Sequence, residues 1–343
     1  MSPKVTVIMP VYNAAKTLRR AIDGICKQTL KELEIIVVND GSTDDSLTIA
    51  QDFALQDERI IILTQDNQGA SQAKNTGLKK ASGEYVIFHD SDDWTEPDMY
   101  SALYAAAKTN DYDVVYCDHI SINGGQRYHW SFEFNNDDSD FLRQILTDHC
   151  CSPCTHLLRK AVLDHYNYFF PKDLSIAEDT VALTCLFINN YNECKTHNNN
   201  NYLRVKHLPV AFYYYDNQGN PNSLTKVQSS VKYSKLVYAW RMIGKDLNLS
   251  AFGKEYYQSL LRYAFEALWN NYLPPAEYYS LFAPYKQDIR LFVPKSTRRY
   301  LVLMAADEKY EQARRRMWLL YPRIALEKLQ RLVHRLKGHS SVR

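Results

Sequence analysis

The sequence predicts an α/β fold: a mostly parallel β-sheet flanked by helices, followed by a helical C-terminal region. Three observations predict it. Short, near-continuous apolar runs recur through residues 1–120, the mark of strands buried on both faces. Segments with apolar residues at helical spacing separate those runs, and such alternation implies right-handed crossovers in a parallel sheet. From about residue 226 the chain reads helical, rich in Tyr, Leu and Lys/Arg.

The elements follow in order. Val5-Thr6-Val7-Ile8-Met9 is the first strand, and Leu18, Ala21, Ile22 and Ile25 mark the first helix. Glu34-Ile35-Ile36-Val37-Val38 is the second strand. Ser42-Thr43-Asp44-Asp45 supplies cap and acidic first-turn residues for a helix carrying Leu47, Ala50, Phe53 and Ala54. Ile60-Ile61-Ile62-Leu63 is the third strand, and Ala70, Ala73, Gly77 and Ala81 give a small-residue helix face. Tyr85-Val86-Ile87-Phe88 is the fourth strand. Thr95-Glu96-Pro97-Asp98 reads as cap, early proline and acid for a helix with Leu103, Ala106 and Ala107. Val114-Val115-Tyr116-Cys117 is the fifth strand. From about 120 to 225 the signals are shorter and more polar, with the runs Asn135-Asn136-Asp137-Asp138 and Asn198-Asn199-Asn200-Asn201.

Composition bounds the function. The chain has 343 residues, 45% apolar and 23% charged, ordinary for a globular protein with a sizeable core. No apolar run approaches the ~18–20 residues of a membrane span. The start, Met1-Ser2-Pro3-Lys4-Val5, enters a strand pattern and lacks the layout of a secretory signal, so the seven cysteines are expected as reduced thiols. Net charge is +2, from 41 basic and 39 acidic residues, which gives no support for nucleic-acid binding. The charge is uneven: nine Lys/Arg and one acid, Glu327, lie between Arg314 and Arg343.

In open parallel sheets, ligands bind at the carboxyl ends of the strands. There the chain places Pro10-Val11-Tyr12-Asn13, Asn39-Asp40-Gly41-Ser42, Asp66-Asn67-Gln68-Gly69 and His89-Asp90-Ser91-Asp92-Asp93-Trp94. Three of the four ends are acidic. Asp90 and Asp92, two apart on an extended segment, face one side. Such a pair suits a hard divalent ion, Mg²⁺ or Mn²⁺, shared with phosphate oxygens. There is no G-x-G-x-x-G after the first strand and no G-x-x-x-x-G-K-[ST], which disfavours dinucleotide and P-loop sites. Each acid also has a plain reading as a turn or cap residue, which for Gly41 to Asp44 is the favoured one.

Taken together these pieces resemble the donor-binding half of the family 2 glycosyltransferases with the GT-A, Rossmann-like fold. The resemblance runs over Val5–Pro97: Val7-Ile8-Met9-Pro10-Val11-Tyr12-Asn13, Gln28-Thr29, Ile36-Val37-Val38-Asn39-Asp40-Gly41-Ser42-Thr43-Asp44, Asn67-Gln68-Gly69, Ala73-Lys74-Asn75-Thr76-Gly77, Ala81-Ser82-Gly83-Glu84-Tyr85 and Asp90-Ser91-Asp92-Asp93. It continues more loosely through Ala177-Glu178-Asp179-Thr180 and Ser223-Leu224-Thr225. It implies a GT-A domain over residues 1–225, with a nucleotide-sugar half (1–120) and an acceptor half (121–225), and a helical region over 226–343.

The resemblance also implies roles. Pro10, Val11, Tyr12, Asn13 and Asp40 would cradle the base, with Asp40 accepting from a uracil N3–H and Tyr12 stacking on the ring. Asn67, Gly69, Lys74, Asn75, Asp90, Ser91 and Asp92 would complete the nucleotide-sugar site. Lys74 stands where the family usually has Arg, a point charge in place of a planar fork. Asp92 would ligate Mn²⁺ or Mg²⁺ with support from Asp90, while Asp93 and Trp94 would lie on the acceptor side. Asp179 would be the base that deprotonates the acceptor hydroxyl, with Glu178 beside it.

Weaker signals are read more plainly. Cys150, Cys151, Cys154 and His156 lack a second, well-spaced ligand pair and are expected to be core residues. Phe212-Tyr213-Tyr214-Tyr215 before Asn217-Gln218-Gly219-Asn220-Pro221-Asn222-Ser223 reads as an aromatic strand and a turn-rich loop. His207 is expected to have only local partners. Trp94, His129 and Trp130 are candidates for sugar stacking, with burial the commoner fate. Ile324, Leu329, Leu332 and Leu336 share a face of a basic tail that suits an anionic membrane.

The expectation is an inverting, metal-dependent glycosyltransferase. It would move sugar from a nucleotide sugar, UDP-linked, to a glycan or lipid-linked glycan in bacterial lipopolysaccharide, capsule or exopolysaccharide synthesis. It would work in the cytoplasm, peripheral on the inner face of the membrane. Two rivals stand: a sugar-nucleotide-forming nucleotidyltransferase, which would need a Gly-rich loop after the first strand, and a non-catalytic glycan- or nucleotide-binding protein.

Overall fold

A computed structural model of the chain describes residues 2–132, 138–148, 152–216 and 230–319. Two compact units divide it, Met1–Val227 and Gln228–Arg343.

The first unit carries the α/β fold that the sequence predicts. Its strands are β1 (Val5–Val11), β2 (Leu33–Asp40), β3 (Ile60–Gln65), β4 (Tyr85–Phe88), β5 (Trp94–Thr95), β6 (Val114–Asn123), β7 (Gln126–Trp130), β8 (His156–Arg159) and β9 (Val205–Asp216). Its helices are α1 (Leu18–Cys26), α2 (Ser46–Ala54), α3 (Ala70–Lys80), α4 (Met99–Thr109), α5 (Asp138–Asp148), α6 (Lys160–His165) and α7 (Glu178–Thr196). The described strands form one sheet in the order β3-β2-β1-β4-β8-β6-β9-β5, with β7 hydrogen-bonded to β6. The pairs β3–β2, β2–β1, β1–β4 and β6–β9 are parallel, and β5, β7 and β8 run against their neighbours.

The buried apolar runs explain the parallel half. Val5, Val7, Ile8 and Met9 of β1 and Ile35 to Val38 of β2 are fully buried, as a central strand covered on both faces requires. Helix α1 buries Leu18, Ala21, Ile22 and Ile25, the face read from spacing. Helix α3 packs Ala73 against Ile36 and Val38. Gly77 lets it approach further: a Cβ there would lie 2.4 Å from Ile8 Cγ2.

Two local readings are corrected. Thr95 does not cap a helix. It is a buried strand residue whose Oγ1 accepts from Gln28 Nε2 at 3.1 Å, and α4 begins after Asp98. On α2 the buried face is Ser46, Ile49 and Ala50, not Leu47. The N-cap is Asp45, which makes no side-chain cap bond; Asp44 before it accepts the Ser46 N–H at 3.0 Å. Strands β5, β7 and β8 escaped the periodicity because they are two to five residues long and β7 is exposed throughout.

The second unit is helical: α8 (Ser230–Lys245), α9 (Leu249–Asn270), α10 (Pro275–Phe282), α11 (Lys286–Phe292), α12 (Thr297–Ala306) and α13 (Tyr310–Leu319). Tyrosines fill its core, and three of their hydroxyls find backbone carbonyls, the usual answer to burying a polar group. Tyr256 donates to the Trp240 carbonyl at 2.9 Å, Tyr278 to that of Ala264 at 3.1 Å and Tyr310 to that of Leu273 at 3.1 Å. The amphipathic tail read from Ile324 to Leu336, the loop 217–229, and Cys150 and Cys151 lie outside the described residues.

Gly77→Ala tests the close seat of α3. Overpacking against Ile8 should cost about 1–3 kcal/mol, more than the ~1 kcal/mol that alanine adds in helix propensity. Urea unfolding reads the difference; an unchanged or raised midpoint would show that the helix can back away.

Candidate active site

The carboxyl ends of β1 to β4 gather the predicted residues along one edge of the sheet, as parallel pairing dictates. Val11 is buried at the end of β1 and Pro10 is half-buried, whereas Tyr12 just beyond is 51% exposed, open to a stacking partner. Asn13 takes a left-handed conformation, φ 49°. Its Oδ1 accepts the Thr43 N–H at 2.8 Å, and its own N–H donates to Ser42 Oγ at 3.1 Å. The Gly41-to-Asp44 run therefore fastens the first loop to the second, and Asn13 braces loops instead of reaching outward.

Asp40 ends β2 and is buried. Oδ1 accepts from Gln65 Nε2 at 2.7 Å and from the Gln68 N–H at 2.9 Å; Oδ2 accepts the Gly69 N–H at 2.8 Å. A carboxylate offers about four acceptor positions, so Oδ2 can take one more donor. Gly69, with φ 87°, sits at the start of α3 in a conformation that favours glycine. Asn67 is exposed beside it.

Helix α3 carries Lys74 and Asn75 to other work than expected. Asn75 Nδ2 donates to the Phe170 carbonyl, and its Oδ1 accepts the Phe170 N–H, both at 2.8 Å. It staples the segment before α7 onto α3. Lys74, 4% exposed, lies over the Phe170 ring at 5.0 Å. Its Nζ is 2.6 Å from Asp179 Oδ1 and 3.5 Å from Glu178 Oε1.

Glu178 and Asp179 open α7, directly after Ala177, a left-handed alanine with φ 63°. That strained residue sets where α7 starts, and so where both acids stand. Burial pushes the Asp179 carboxyl up to about 7; Lys74 opposes this, and Glu178 and Asp90 add to it. Burial would lower the Lys74 ammonium, but Asp179, Glu178 and Asp90 outweigh it and hold it well above its usual range.

The acidic loop after β4 is held from below. His89 is fully buried, and burial lowers it to about 4, so it stays neutral. The Asp90 N–H donates to the Tyr213 hydroxyl at 3.1 Å. Asp93, expected on the acceptor side, is instead buried: Oδ2 accepts from the Tyr213 hydroxyl at 2.9 Å and Oδ1 accepts the Asp216 N–H at 2.8 Å. Burial, then Asp90 and Asp92, raise its carboxyl well above the usual range. Ser91 and Asp92 are half-buried. Burial first, then Asp90 and Asp216, push the Asp92 carboxyl up to about 6.

The Asp90–Asp92 pair bears on a metal ion. Two hard oxygen donors, crowded enough to raise one carboxyl, suit Mg²⁺ or Mn²⁺. Among the described residues no group of three or more His, Cys, Asp or Glu gathers to hold an ion. An ion here would need oxygens from a substrate.

Residues that sequence reasoning missed close the site. Arg20 Nη2 donates to the Asp92 carbonyl at 2.5 Å and to Asp216 Oδ2 at 2.9 Å. A surface arginine on a helix gives no sequence signal; Asp216 was hinted at only by the aromatic run before it. Trp94 is half-buried, stacked on Tyr214 with centroids 5.4 Å apart. His207 Nε2 lies 2.7 Å from buried Asp118 Oδ1, and His129 Nε2 lies 2.9 Å from Oδ2, so both serve β6. Trp130 stays 49% exposed. Cys154 and His156 are buried, the core fate expected of them.

Lys74→Met tests the buried pair. Removing one partner should cost about 3–5 kcal/mol near pH 8, by guanidinium unfolding. The sign follows from Asp179: its raised carboxyl ionises as pH passes about 7, so the ion pair is complete above that pH and weakens below it. The cost should shrink towards pH 5. A pH-independent cost would assign Lys74 to packing alone.

Comparison with known proteins now adds to this geometry. The family model "Glycosyl transferase family 2" matches residues 6–166. The uncharacterized glycosyltransferase EpsJ of Bacillus subtilis is 33% identical over 235 residues, 66% of this chain and 64% of that protein. Glycosyltransferase GlyA of Streptococcus pneumoniae is 48% identical over 120 residues, 35% of this chain but 17% of that protein. The chain thus spans less than two thirds of the length of either. The crystal structure of S. aureus TarS 1–349 in complex with UDP-GlcNAc superposes with a TM-score of 0.71 at 22% identity, covering 91% of this chain and 89% of that one.

Proposed function

We propose, since residues 6–166 match the glycosyl transferase family 2 model, that the chain is an inverting hexosyltransferase that moves sugar from a UDP-sugar to a hydroxyl of a glycan acceptor. One observation carries the reading. Asp179, from the start of α7, stands within electrostatic reach of Asp90, from the end of β4, on a common buried lysine. A base and a donor-holding loop thereby meet at the carboxyl edge of the sheet.

Each residue has a task in this reading. Tyr12, exposed at the end of β1, stacks on the nucleobase, and Asp40 Oδ2 accepts from its N–H. That pattern favours uracil, and the UDP-GlcNAc held by TarS is consistent with it. Asp92 and Asp90 would hold a Mn²⁺ or Mg²⁺ ion at the donor site. When bound, the ion offsets the charge growing on the departing diphosphate. Asp179 takes the acceptor proton as the hydroxyl attacks the anomeric carbon in line. A carboxyl at about 7 is matched to that exchange near neutral pH. Lys74 orients Asp179 and favours its ionised form. Glu178 borders the acceptor.

We assign the nucleotide sugar to residues 1–120 and the acceptor to 121–225. The product would be a bacterial surface polysaccharide: lipopolysaccharide, capsule or exopolysaccharide. No helix among the described residues is long and apolar enough to cross a membrane. A peripheral contact with anionic membrane is supported by Trp318 and Leu319, 68% and 80% exposed beside Arg315 and Arg316, and by the basic sequence that follows. Lipid-linked acceptors would be met there.

Asp179→Asn is the test. Sugar transfer, followed as UDP release with acceptor present, should fall by about 10²–10⁴, while calorimetric UDP binding with Mn²⁺ stays within a few-fold of wild type. Near-normal turnover would remove Asp179 as the base. Wild-type protein that binds no UDP with any divalent ion would sink the reading itself.

A further inference from the structure

The loop that carries Asp90 and Asp92 is tied down at most of its positions. Asp90 is fixed through its N–H on Tyr213, and Asp93 through Tyr213 and the Asp216 N–H. Asp92 is anchored from a different element, by Arg20 of α1. The same guanidinium nitrogen pairs with Asp216, whose side chain is 14% exposed. The guanidinium carbon lies 4.2 Å from the Trp94 ring centroid. Trp94 is itself stacked on Tyr214, the residue two before Asp216, with ring planes 4° apart. Arg20 thus joins α1, the acidic loop and the end of β9 through a backbone carbonyl, a carboxylate and an aromatic face.

We propose that Arg20 is a positioning residue for the Asp92 carboxylate, holding it where it can accept a divalent ion once the nucleotide diphosphate arrives. The inference rests on the donor-site reading above. Charge alone argues the other way, since a cation beside an ion site repels the ion. Here, however, the guanidinium bonds the Asp92 carbonyl, not its carboxylate, and Asp216 already balances its charge. Its bond to Asp92 therefore fixes the loop backbone, while its charge is only a lesser influence on the carboxylate, behind burial and Asp90. The planar guanidinium is what allows bonding in its plane and stacking on Trp94 at once, which a lysine could not reproduce.

The two views give opposite signs in one measurement. Calorimetric titration of full-length protein with UDP, in EDTA and in Mn²⁺, separates ion-dependent from ion-independent binding. Arg20→Ala should weaken Mn²⁺-dependent UDP binding about tenfold, the scale of one charge-assisted hydrogen bond, and leave binding in EDTA unchanged. Arg20→Lys should recover only part. Arg19→Ala removes the same charge one residue away, where Arg19 pairs with Asp52, and should change nothing. Asp216→Asn, which keeps the N–H to Asp93, should weaken Mn²⁺-dependent binding in the same direction, and the double variant should be no worse than Arg20→Ala. The Asp216→Asn result stands even where the alanine variant folds poorly. Equal or tighter Mn²⁺-dependent binding by Arg20→Ala, or additive losses in the double variant, would overturn the proposal. Absence of Mn²⁺-dependent binding in wild type would instead overturn the donor-site reading, and this inference with it.

Discussion

Like charges must be held together at the carboxyl edge of the sheet, and a buried lysine is what permits it. Asp90, Glu178 and Asp179 converge there, and the first two help to raise the Asp179 carboxyl. Lys74, 4% exposed, is the cation inside that cluster. Its burial would be prohibitive alone; beside Asp179 at 2.6 Å and Glu178 at 3.5 Å it is tolerated. The close seat of α3 through Gly77 on Ile8, the staple of Asn75 to Phe170 and the left-handed Ala177 all support that contact. Each helps bring α3 and the start of α7 to one point.

The acidic loop after β4 obeys a second rule: what must be poised is not what bears load. Asp93 is buried and takes the hydrogen bonds from Tyr213 and Asp216, while Asp90 and Asp92 stay half-buried. The neutral His89 beneath them adds no competing cation. Strand β9 matters for this reason. Its aromatic run ends in residues that reach back to the loop from the far side of the sheet, and Arg20 completes the clasp.

The helical unit solves a different problem. It fills its interior with tyrosines and places some of their hydroxyls on carbonyls of neighbouring helices, as with Tyr256 on Trp240 and Tyr278 on Ala264. Rigid rings lose little side-chain entropy on burial, which suits a bundle of mostly short helices.

The sequence by itself determined the fold class and the first four parallel strands. Buried strands in a parallel sheet are locally encoded: Ile35 to Val38 must be apolar because both faces are covered. It also determined which loops could matter, because parallel topology sends every strand end to one edge. The pairing of distant side chains was decided only by the tertiary structure. That Lys74 meets Asp179, that Asn13 and Asn75 brace backbone, and that Asp93 is buried on Tyr213 depends on contacts between residues far apart in the chain. Periodicity carries no record of such contacts. The same holds for Arg20 and Asp216, 196 residues apart: a surface arginine looks solvated until the chain folds a carboxylate, a carbonyl and a tryptophan around it.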